Sequence, residues 1–434
     1  MKSVLRRVRA LLLTVLLFVG APMAILLAVP ALGVIGPNAI PTGPNPPLGV
    51  HLSYPDDPSM ATITYHTATA TTARAEWDQS IGPPYTFSAT GFDYTSPGGT
   101  FLHVVNLTGL VPGARYFYRL GDASMASTFG QGTFRAAPAK GASETFTFGA
   151  AGDWGNTNQT VDTVRSIALR APNLVLPTGD LYYSRLDSVV QAVYEKFQVF
   201  GQSSFVMSGM GDNEWGAPGD RNTPPETYCA FSNLPGNERT YAFTWGNTFF
   251  ITVDWGNSTT DETDGFDGTP GACSGQAGTP AIRAWVDAKL AAANADPTIR
   301  WKIVFEHHLC YDTTTTGFGQ LCPAGGHPDQ VEDIYTSRGV DLVLMGNDHT
   351  YGRTHPVSFE NVIQTGSAYD TPGAPMWFVL GTGGQSGTAT CRTDAWVALC
   401  RAATRTEGFG WFQVSPTTIK YEFVENQAGV VDSF

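Results

Sequence analysis

Five short apolar runs in the chain each end in residues that commonly bind metal ions. Each run has the length and composition of a buried β-strand. The loops after the carboxyl ends of strands in an open α/β sheet converge on one crevice, so side chains far apart in sequence can meet there. One aspartate after a strand is ordinarily part of a turn or a cap, but turns alone do not explain five such ends in succession. The runs begin at Phe146, Leu174, Phe205, Ile303 and Leu342, and the blocks that end them are GDWG, GDLYY, GDNE, EHH and GNDH.

The side chains at these strand ends favour a site for two metal ions. Carboxylates, amides and imidazoles suit Mn, Fe and Zn. Seven such side chains are too many for one ion, but they fit two ions that share a bridging carboxylate. Two ions about 3.5–4 Å apart can clamp the attacking and leaving oxygens of a displacement at phosphorus and make hydroxide available near neutral pH. The pattern therefore predicts a hydrolytic two-metal site.

Composition and missing motifs exclude several other functions. The chain has 434 residues and a formal net charge of −13, and no basic patch stands out beyond its first residues. We therefore expect two or three domains and no nucleic-acid partner. The sequence contains neither the G-x-S-x-G elbow of serine hydrolases nor the P-loop of nucleotide-driven proteins, which argues against both classes.

The first 36 residues have the pattern of an export signal. Lys2, Arg6, Arg7 and Arg9 precede an apolar run over residues 10–36. This pattern is typical of a secretory signal peptide, although the run is also long enough to remain in the bilayer as a membrane anchor. Both alternatives place the rest of the chain outside the cytoplasm, either secreted or at the cell surface.

The cysteine content supports export. The six cysteines are an even set, and in an oxidising compartment they are expected to form disulfides. The sequence does not choose among the connectivities, and we expect neighbours along the chain to pair. The predicted pairs are Cys229–Cys273, Cys310–Cys322 and Cys391–Cys400.

The hydrophobic pattern after residue 36 indicates two folded regions. Residues 37–47 read as a Pro/Gly linker, and residues 48–138 carry the short alternating strands of an all-β domain. The turn at Leu110, followed by Tyr116 and Tyr118, is similar to the turn and aromatic strand of a fibronectin-type sandwich. We expect these two tyrosines to pack in the core and at the corner of that domain.

The second region, residues 145–434, alternates strands with helices, which indicates an α/β domain with a largely buried sheet. One helix is predicted from about Pro280 to Ala295, because apolar residues recur there at helical spacing. A second helix is predicted near Asp329–Ser337, where it stops before Gly339.

The blocks GDWG, GDLYY, GDNE, VFEHH and GNDHTYGR, in this order, resemble the five motif blocks of the purple acid phosphatases within the metallophosphoesterase superfamily. The resemblance covers residues 48–434. It implies an N-terminal fibronectin-III-like sandwich followed by an α/β metallophosphoesterase domain, built as a two-sheet β-sandwich flanked by helices. It also implies hydrolysis of phosphate monoesters by a metal-bound hydroxide. The cofactors would be two metal ions, Fe with Fe, Mn or Zn, and the partner a small phosphorylated substrate.

Carried over residue by residue, the resemblance implies a ligand set for both ions. Tyr183 stands three residues after Asp180, a spacing similar to that of the iron-binding tyrosine of the family. Asp180 would bridge the two ions. One metal would be held by Asp153, Asp180, Tyr183 and His349, and the other by Asp180, Asp212, His307 and Asn347.

Three positions depart from the family pattern. Asp212 stands where the third block normally has an amide ligand, and Asn213 stands where it has a histidine. Asn347 replaces the first histidine of the fifth block. The second metal site thus loses an imidazole and gains a carboxylate, which should favour Mn or Fe over Zn. If the third block is shifted by one residue, Asn213 is the ligand instead.

Asn213 and His308 are the candidate catalytic residues. The histidine that Asn213 replaces helps the family to bind phosphate and to protonate the leaving group, and an asparagine cannot supply that proton. His308 is therefore the candidate acid, with His327 as a weaker one, and the alternative for His308 is a solvated neighbour of the ligand His307. Without any acid, aryl phosphates and phosphoanhydrides should react better than alkyl esters.

Three further residues keep two interpretations each. Glu214 either bonds to a metal ligand from behind or caps a helix. Tyr351 and Arg353, which follow His349 as in the family, either pack at the surface or contact substrate.

Three functions remain open at this point. The first is an exported metal-dependent phosphomonoesterase. The second is a phosphodiesterase or nucleotide hydrolase with the same metals. The third is a non-catalytic cell-surface binding protein with a decayed site, although Asp153, Asp180 and His307 are all retained. The sequence does not predict the oligomeric state.

Overall fold

The N-terminal region consists of β-strands, as its alternating pattern predicts. The computed structural model describes residues 45–121, 132–215, 225–255, 279–315 and 331–434. The predicted export segment lies outside these residues, and among the described helices none is both long and apolar enough to cross a bilayer. The N-terminal strands are β1 Leu48–Ser53, β2 Ala61–Thr67, β3 Arg74–Asp78, β4 Phe87–Thr90, β5 Phe92–Thr95, β6 Phe101–Leu107, β7 Arg115–Gly121 and β8 Gly132–Arg135.

The second region alternates strands and helices over its first two thirds and ends in strands. Its helices are α1 Asn158–Leu169, α2 Asp187–Gly201, α3 Glu226–Ser232, α4 Thr279–Ala295 and α5 Glu332–Ser337. Its strands are β9 Phe146–Ala151, β10 Leu174–Pro177, β11 Phe205–Val206, β12 Tyr241–Trp245, β13 Thr248–Val253, β14 Trp301–Glu306, β15 Leu342–Met345, β16 Tyr351–Thr354, β17 Val357–Ser358, β18 Asn361–Val362, β19 Met376–Leu380, β20 Val397–Arg401, β21 Gly408–Val414, β22 Ile419–Glu425 and β23 Gly429–Ser433.

Two large sheets carry the five strands that end in ligand-type residues. One sheet has the order β23-β22-β21-β9-β10-β11-β1-β2-β6-β5, and the other has the order β12-β13-β14-β15-β19-β16-β20. Strands β9 to β11 run parallel in the first sheet, as do β13, β14, β15 and β19 in the second. Aromatic rings fill the space between the sheets, and the rings of Phe148 and Phe250 meet edge to face at 5.7 Å. The predicted two-sheet α/β fold is confirmed.

The larger sheet runs without a break from the N-terminal region into the second region. Strand β1 pairs with β2 on one side, and on the other side it pairs in parallel with β11, where Leu52 lies opposite Phe205. A smaller sheet, β4-β3-β7-β8, completes the N-terminal sandwich. Tyr116 and Tyr118 are buried in its core, as predicted. The sequence pattern gave no sign of this shared sheet, because strand pairing between distant segments leaves no local periodicity.

The two predicted helices are found close to their predicted bounds. Helix α4 buries Ile282, Val286 and Leu290, which is the stripe that its spacing predicts. Helix α5 ends at Ser337, and Gly339 follows with a φ of 63°. Residues 329 and 330 of the second prediction lie outside the described residues.

The structure contains the predicted disulfide between Cys391 and Cys400. Cys229 and Cys310 are disulfide-bonded as well. Cys273 and Cys322, their predicted partners, lie outside the described residues. Neighbour pairing is therefore confirmed for one pair and stays a prediction for the other two.

The last strand is fixed to the sandwich by a buried ion pair. Arg353 donates from Nε to Asp432 Oδ2 over 2.6 Å and from Nη2 to Asp432 Oδ1 over 3.2 Å. The hydroxyl of Tyr351 also donates to Asp432. The expectation that Tyr351 and Arg353 pack at the surface was therefore wrong, because these buried residues bind the carboxyl-terminal strand, and contact with substrate stays a prediction.

Replacing Asp432 with alanine should destabilise the protein strongly. The change leaves a buried guanidinium and a buried phenol without their acceptor, so we expect the free energy of unfolding to fall by about 3–5 kcal/mol. Urea unfolding measures this difference. Val430→Ala on the exposed side of the same strand is the control, with an expected loss below about 0.5 kcal/mol. A loss of less than about 1 kcal/mol for Asp432→Ala would contradict the anchoring role.

Candidate metal centre

Three of the predicted ligands adopt an unfavourable backbone conformation at the ends of their strands. Asp153, Asp180 and Asn347 have φ angles of 61°, 50° and 71°. A residue with a side chain costs about 1–2 kcal/mol in this left-handed region, and such strain clusters at functional sites. The turns place these side chains just beyond the strand ends, which is where the sequence predicted them to converge.

Glycines precede these ligands because the loops touch one another. A Cβ atom on Gly211 would lie 2.3 Å from the backbone nitrogen of Asp180. A Cβ atom on Gly346 would lie 2.7 Å from the backbone carbonyl oxygen of Thr178. Real Cβ atoms do not approach other atoms so closely. The glycine of the third and fifth blocks is therefore required by the contact between strand ends, in addition to any turn that it forms.

The first group of predicted ligands consists of Asp153, Tyr183 and His349. Asp153 Oδ1 lies 3.2 Å from His349 Nε2 and accepts a hydrogen bond from the Tyr183 hydroxyl over 3.2 Å. The Tyr183 hydroxyl is also 3.1 Å from His349 Nε2. The other carboxylate oxygen, Asp153 Oδ2, accepts a 2.9 Å bond from the backbone nitrogen of Asn347. Blocks from three distant segments thus meet at one carboxylate.

The second group consists of His307, Asp180 and Asp212. His307 Nε2 lies 3.4 Å from Asp180 Oδ1 and 3.4 Å from Asp212 Oδ1. Its Nδ1 lies 3.0 Å from the Thr178 carbonyl oxygen, which can only accept, so Nδ1 carries a proton. Nε2 is buried and makes no hydrogen bond. In the neutral imidazole its lone pair therefore faces two carboxylates, an arrangement that a bound cation would stabilise.

The two groups adjoin through Asp180. Ligand atoms of Asp153, Asp180 and His307 lie within 4.8 Å of one another, and all three residues are buried. The cluster contains carboxylates, imidazoles, a phenol and an amide, which is a donor set that Mn, Fe and Zn accept. The residues present therefore fit a metal centre.

Burial and the neighbouring charges of the cluster shift the pKa values of its members strongly. Burial raises the pKa of Asp180 well above its usual range, although His307 opposes this shift. Burial would lower the pKa of His307, but Asp180 and Asp212 raise it well above its ordinary value. Burial and the carboxylates of Asp153 and Asp180 raise the pKa of the Tyr183 phenol far above normal. A bound cation reverses these shifts, because it favours deprotonated ligands.

The two residues of the third block that depart from the family pattern, Asp212 and Asn213, make different contacts at the cluster. Asp212 faces His307, and its side chain is 33% exposed. Asn213 bonds to Asp180 twice, from its backbone nitrogen over 3.0 Å and from Nδ2 over 2.5 Å. Asn213 Nδ2 also lies 3.4 Å from Asp212 Oδ1. The structure therefore places both residues at the cluster.

Glu214 holds the loop of the second block in place. Its buried carboxylate accepts from the backbone nitrogens of Gly211, Asp180 and Leu181 over 2.7, 3.0 and 2.8 Å. Burial raises the pKa of Glu214 to about 7, although the bond from Gly211 opposes this shift. Of the two interpretations from the sequence, the structure favours support of a ligand loop over a helix cap.

His308 lies next to the second group. Its ring is 5.6 Å from that of His307 in an edge-to-face contact, and the residue is buried. Burial would raise the pKa of Asp212, but His307 and the charge of His308 lower it below its ordinary value. His327 lies outside the described residues.

The sequence analysis missed a sixth strand end that contributes to the site. After β19, residues 381–387 fold against the first and fifth blocks. The backbone nitrogen of Gln385 donates to the backbone carbonyl oxygen of Asp153 over 2.8 Å. The backbone nitrogen of Gly387 donates to the backbone carbonyl oxygen of His349 over 2.7 Å. The signal was the run GTGGQSG directly after the apolar run MWFVL. It was missed because it contains no charged ligand.

Comparisons with known proteins relate the chain to acid phosphatases. Residues 47–149 match the family described as "Purple acid Phosphatase, N-terminal domain". Acid phosphatase type 7 of Homo sapiens is 26% identical over 383 residues, which is 82% of this chain and 81% of that protein. Purple acid phosphatase 15 of Arabidopsis thaliana is 23% identical over 325 residues, with 67% of this chain and 54% of that protein covered.

A solved structure has the same fold. The purple acid phosphatase PPD1 from yellow lupin (Lupinus luteus) seeds superposes with a TM-score of 0.72 at 18% identity, and the match covers 91% of this chain and 74% of that one. Residues 47–149 thus match the N-terminal domain of purple acid phosphatases, the chain is similar to proteins named acid phosphatase over most of its length, and it shares the fold of a solved purple acid phosphatase.

Proposed function

We propose that the protein is an exported phosphatase that holds two metal ions and hydrolyses monoesters of small phosphorylated molecules. The observation that carries this proposal is the position of Asp180, whose buried carboxylate adjoins both ligand groups. A shared carboxylate between two groups of donors is what a pair of ions needs. Similarity to proteins named acid phosphatase supports the same reaction class.

The ligand assignment follows the two groups. Asp180 bridges the ions. The first ion is held by Asp153, Asp180, Tyr183 and His349, and the second by Asp180, Asp212, His307 and Asn347. The pair is Fe with Fe, Mn or Zn, and the carboxylate of Asp212 in place of an amide favours Mn or Fe at the second position.

Two bound metal ions would act as Lewis acids, making hydroxide available near neutral pH and neutralising charge on the phosphoryl oxygens. The chain itself orients the donors. The Thr178 carbonyl fixes the tautomer of His307, so that Nε2 faces the cluster. Asn213 Nδ2, which bonds to Asp180, is placed to donate to a phosphoryl oxygen at the same carboxylate edge. Asn213 cannot give up a proton at neutral pH, so its part is to bind rather than to protonate.

His308 then holds the proton for the leaving oxygen. It lies beside His307, with the two rings 5.6 Å apart. A protonated imidazole near the reacting phosphorus can donate to an alkoxide as the ester bond breaks. Alkyl esters depend on this proton more than aryl esters do, because an alkoxide is the poorer leaving group.

Export is the final part of the proposal. The apolar amino-terminal segment of the sequence supports it, and so do the disulfide-bonded cysteines Cys229, Cys310, Cys391 and Cys400. Disulfides persist in oxidising compartments and are rare in the cytosol.

Chelation should abolish activity, and added metal should restore it. We expect the purified protein to hydrolyse p-nitrophenyl phosphate, to lose this activity after treatment with a chelator, and to regain it with Fe or Mn more than with Zn. Release of p-nitrophenol measures the rate, and metal content measured in parallel shows how many ions return. Circular dichroism of the stripped protein checks that the fold survives.

Two results would contradict this proposal in different ways. A folded protein that shows no turnover with any of the three metals would remove the phosphatase function. Faster hydrolysis of bis(p-nitrophenyl) phosphate than of the monoester would replace a monoesterase with a diesterase on the same site.

Replacing His308 with asparagine should affect alkyl esters most. We expect kcat for an alkyl phosphate to fall by about 10²–10⁴, the range that general acid catalysis contributes, and kcat for p-nitrophenyl phosphate to fall much less. The ratio of the two kcat values is the measurement. His355→Asn is the control, because His355 bonds to Tyr369, which packs against Phe434 near the carboxyl terminus. An equal fall for both esters would show that His308 does not supply the proton.

A further inference from the structure

The loop that carries Tyr183 is held firmly at its beginning. It starts at Asp180 and continues to Asp187, the first residue of helix α2. Glu214 accepts hydrogen bonds from the backbone nitrogens of Asp180 and Leu181, and a longer one of 3.4 Å from that of Tyr182. Tyr183 is the first residue beyond these three bonds. Its side chain reaches Asp153 and His349, so its backbone is held between the Glu214 bonds and the far end of the loop.

The far end of the loop is held by the N-terminal sandwich. The turn between β5 and β6, residues 96–100, closes over the Asp187 carboxylate. Asp187 Oδ2 accepts from the Thr100 hydroxyl over 2.5 Å and from the Thr100 backbone nitrogen over 3.3 Å, and the Ser96 hydroxyl also donates to it. A Cβ atom on Gly98 would lie 2.3 Å from the carboxylate carbon of Asp187, so the turn closes this tightly only with glycine there.

This contact is more than helix capping. Leu186, at the N-cap position of α2, makes no side-chain capping bond. An aspartate in the first turn stabilises a helix through the dipole without any partner. Asp187 instead directs its carboxylate to a different part of the fold, and Gln191, one turn later, donates from Nε2 to the Thr100 hydroxyl over 2.6 Å. Two positions of α2 thus bind the same turn.

We propose that the 96–100 turn of the N-terminal sandwich positions the Tyr183 loop through Asp187. The sandwich then has a role in the metal centre without contributing a ligand. Asp187, Ser96 and Thr100 are positioning residues, because they act through the loop rather than on substrate. This inference rests on the proposed function in that Tyr183 is a ligand of the first metal.

Hydrogen exchange of the metal-free protein tests the contact without relying on activity. In Asp187→Ala we expect backbone exchange over residues 183–190 to become about tenfold faster, because the loop loses hydrogen bonds to a charged group at its far end. Asp162→Ala, at an exposed position in the neighbouring helix α1, is the matched control and should leave this segment unchanged. Thr100→Val removes one hydrogen-bond donor to Asp187 and should give a smaller increase in the exchange rate over the same residues, about threefold.

Metal affinity tests the consequence for the site. We expect Asp187→Ala to weaken the binding of one of the two metal ions by about tenfold and to leave the binding of the other unchanged. A tenfold loss lies in the range for removal of an outer partner of a metal ligand. A loss of stability alone would weaken the binding of both ions. Because the Ser96 side chain contacts helix α2 through Asp187, the double variant Ser96→Ala with Asp187→Ala should bind this metal no more weakly than Asp187→Ala alone.

Three results would overturn the proposal: unchanged exchange over 183–190 in Asp187→Ala, equal weakening of both metals, or additive effects in the double variant. If Asp187→Ala fails to fold, Thr100→Val supplies the same comparison with Ser96 still bonded. Failure of the proposed function would look different, since the wild-type protein would then bind no metal pair. The exchange measurement would still decide whether the turn holds the loop.

Discussion

The buried carboxylate of Asp180 is the feature on which the rest of the site depends. It lies beside Asp153 and His307 and accepts hydrogen bonds from Asn213, while Glu214 supports its backbone from behind. Buried carboxylates that crowd together are unstable unless a cation neutralises them. The strained turns, the obligatory glycines and the orientation of His307 all bring donors towards this point. The fold therefore gathers the candidate metal donors around Asp180.

Much of the site could be predicted from the sequence because its ligands follow apolar strands at regular positions. Residue type and strand ends alone indicated the blocks that contain Asp153, Asp180, His307 and His349, and the family resemblance selected these residues as the predicted ligands. The support of these ligands could not be found in that way. Glu214 was left between two roles, since a single carboxylate after a strand has no local signature. The glycine-rich strand end around Gln385 and the contact between Asp187 and the 96–100 turn depend on pairing between distant segments.

The fold shows the same division between local and distant information. Helix α4 and the tyrosines of the N-terminal sandwich follow from periodicity, which acts within a few residues. The parallel pairing of β1 with β11 joins residues 52 and 205, and it makes one sheet of what the sequence suggests are separate domains. That shared sheet brings the N-terminal sandwich next to helix α2. It explains how a region without ligands can reach the loop of Tyr183.

Metal stoichiometry of two single variants tests the central claim most directly. If Asp180 is shared, Asp180→Asn should lose both metal ions, whereas Asp153→Asn should lose only the first and keep the second. Equilibrium dialysis followed by elemental analysis counts the ions per chain, with the wild-type protein expected to hold two. A folded Asp180→Asn protein that still binds two ions with wild-type affinity would contradict the account.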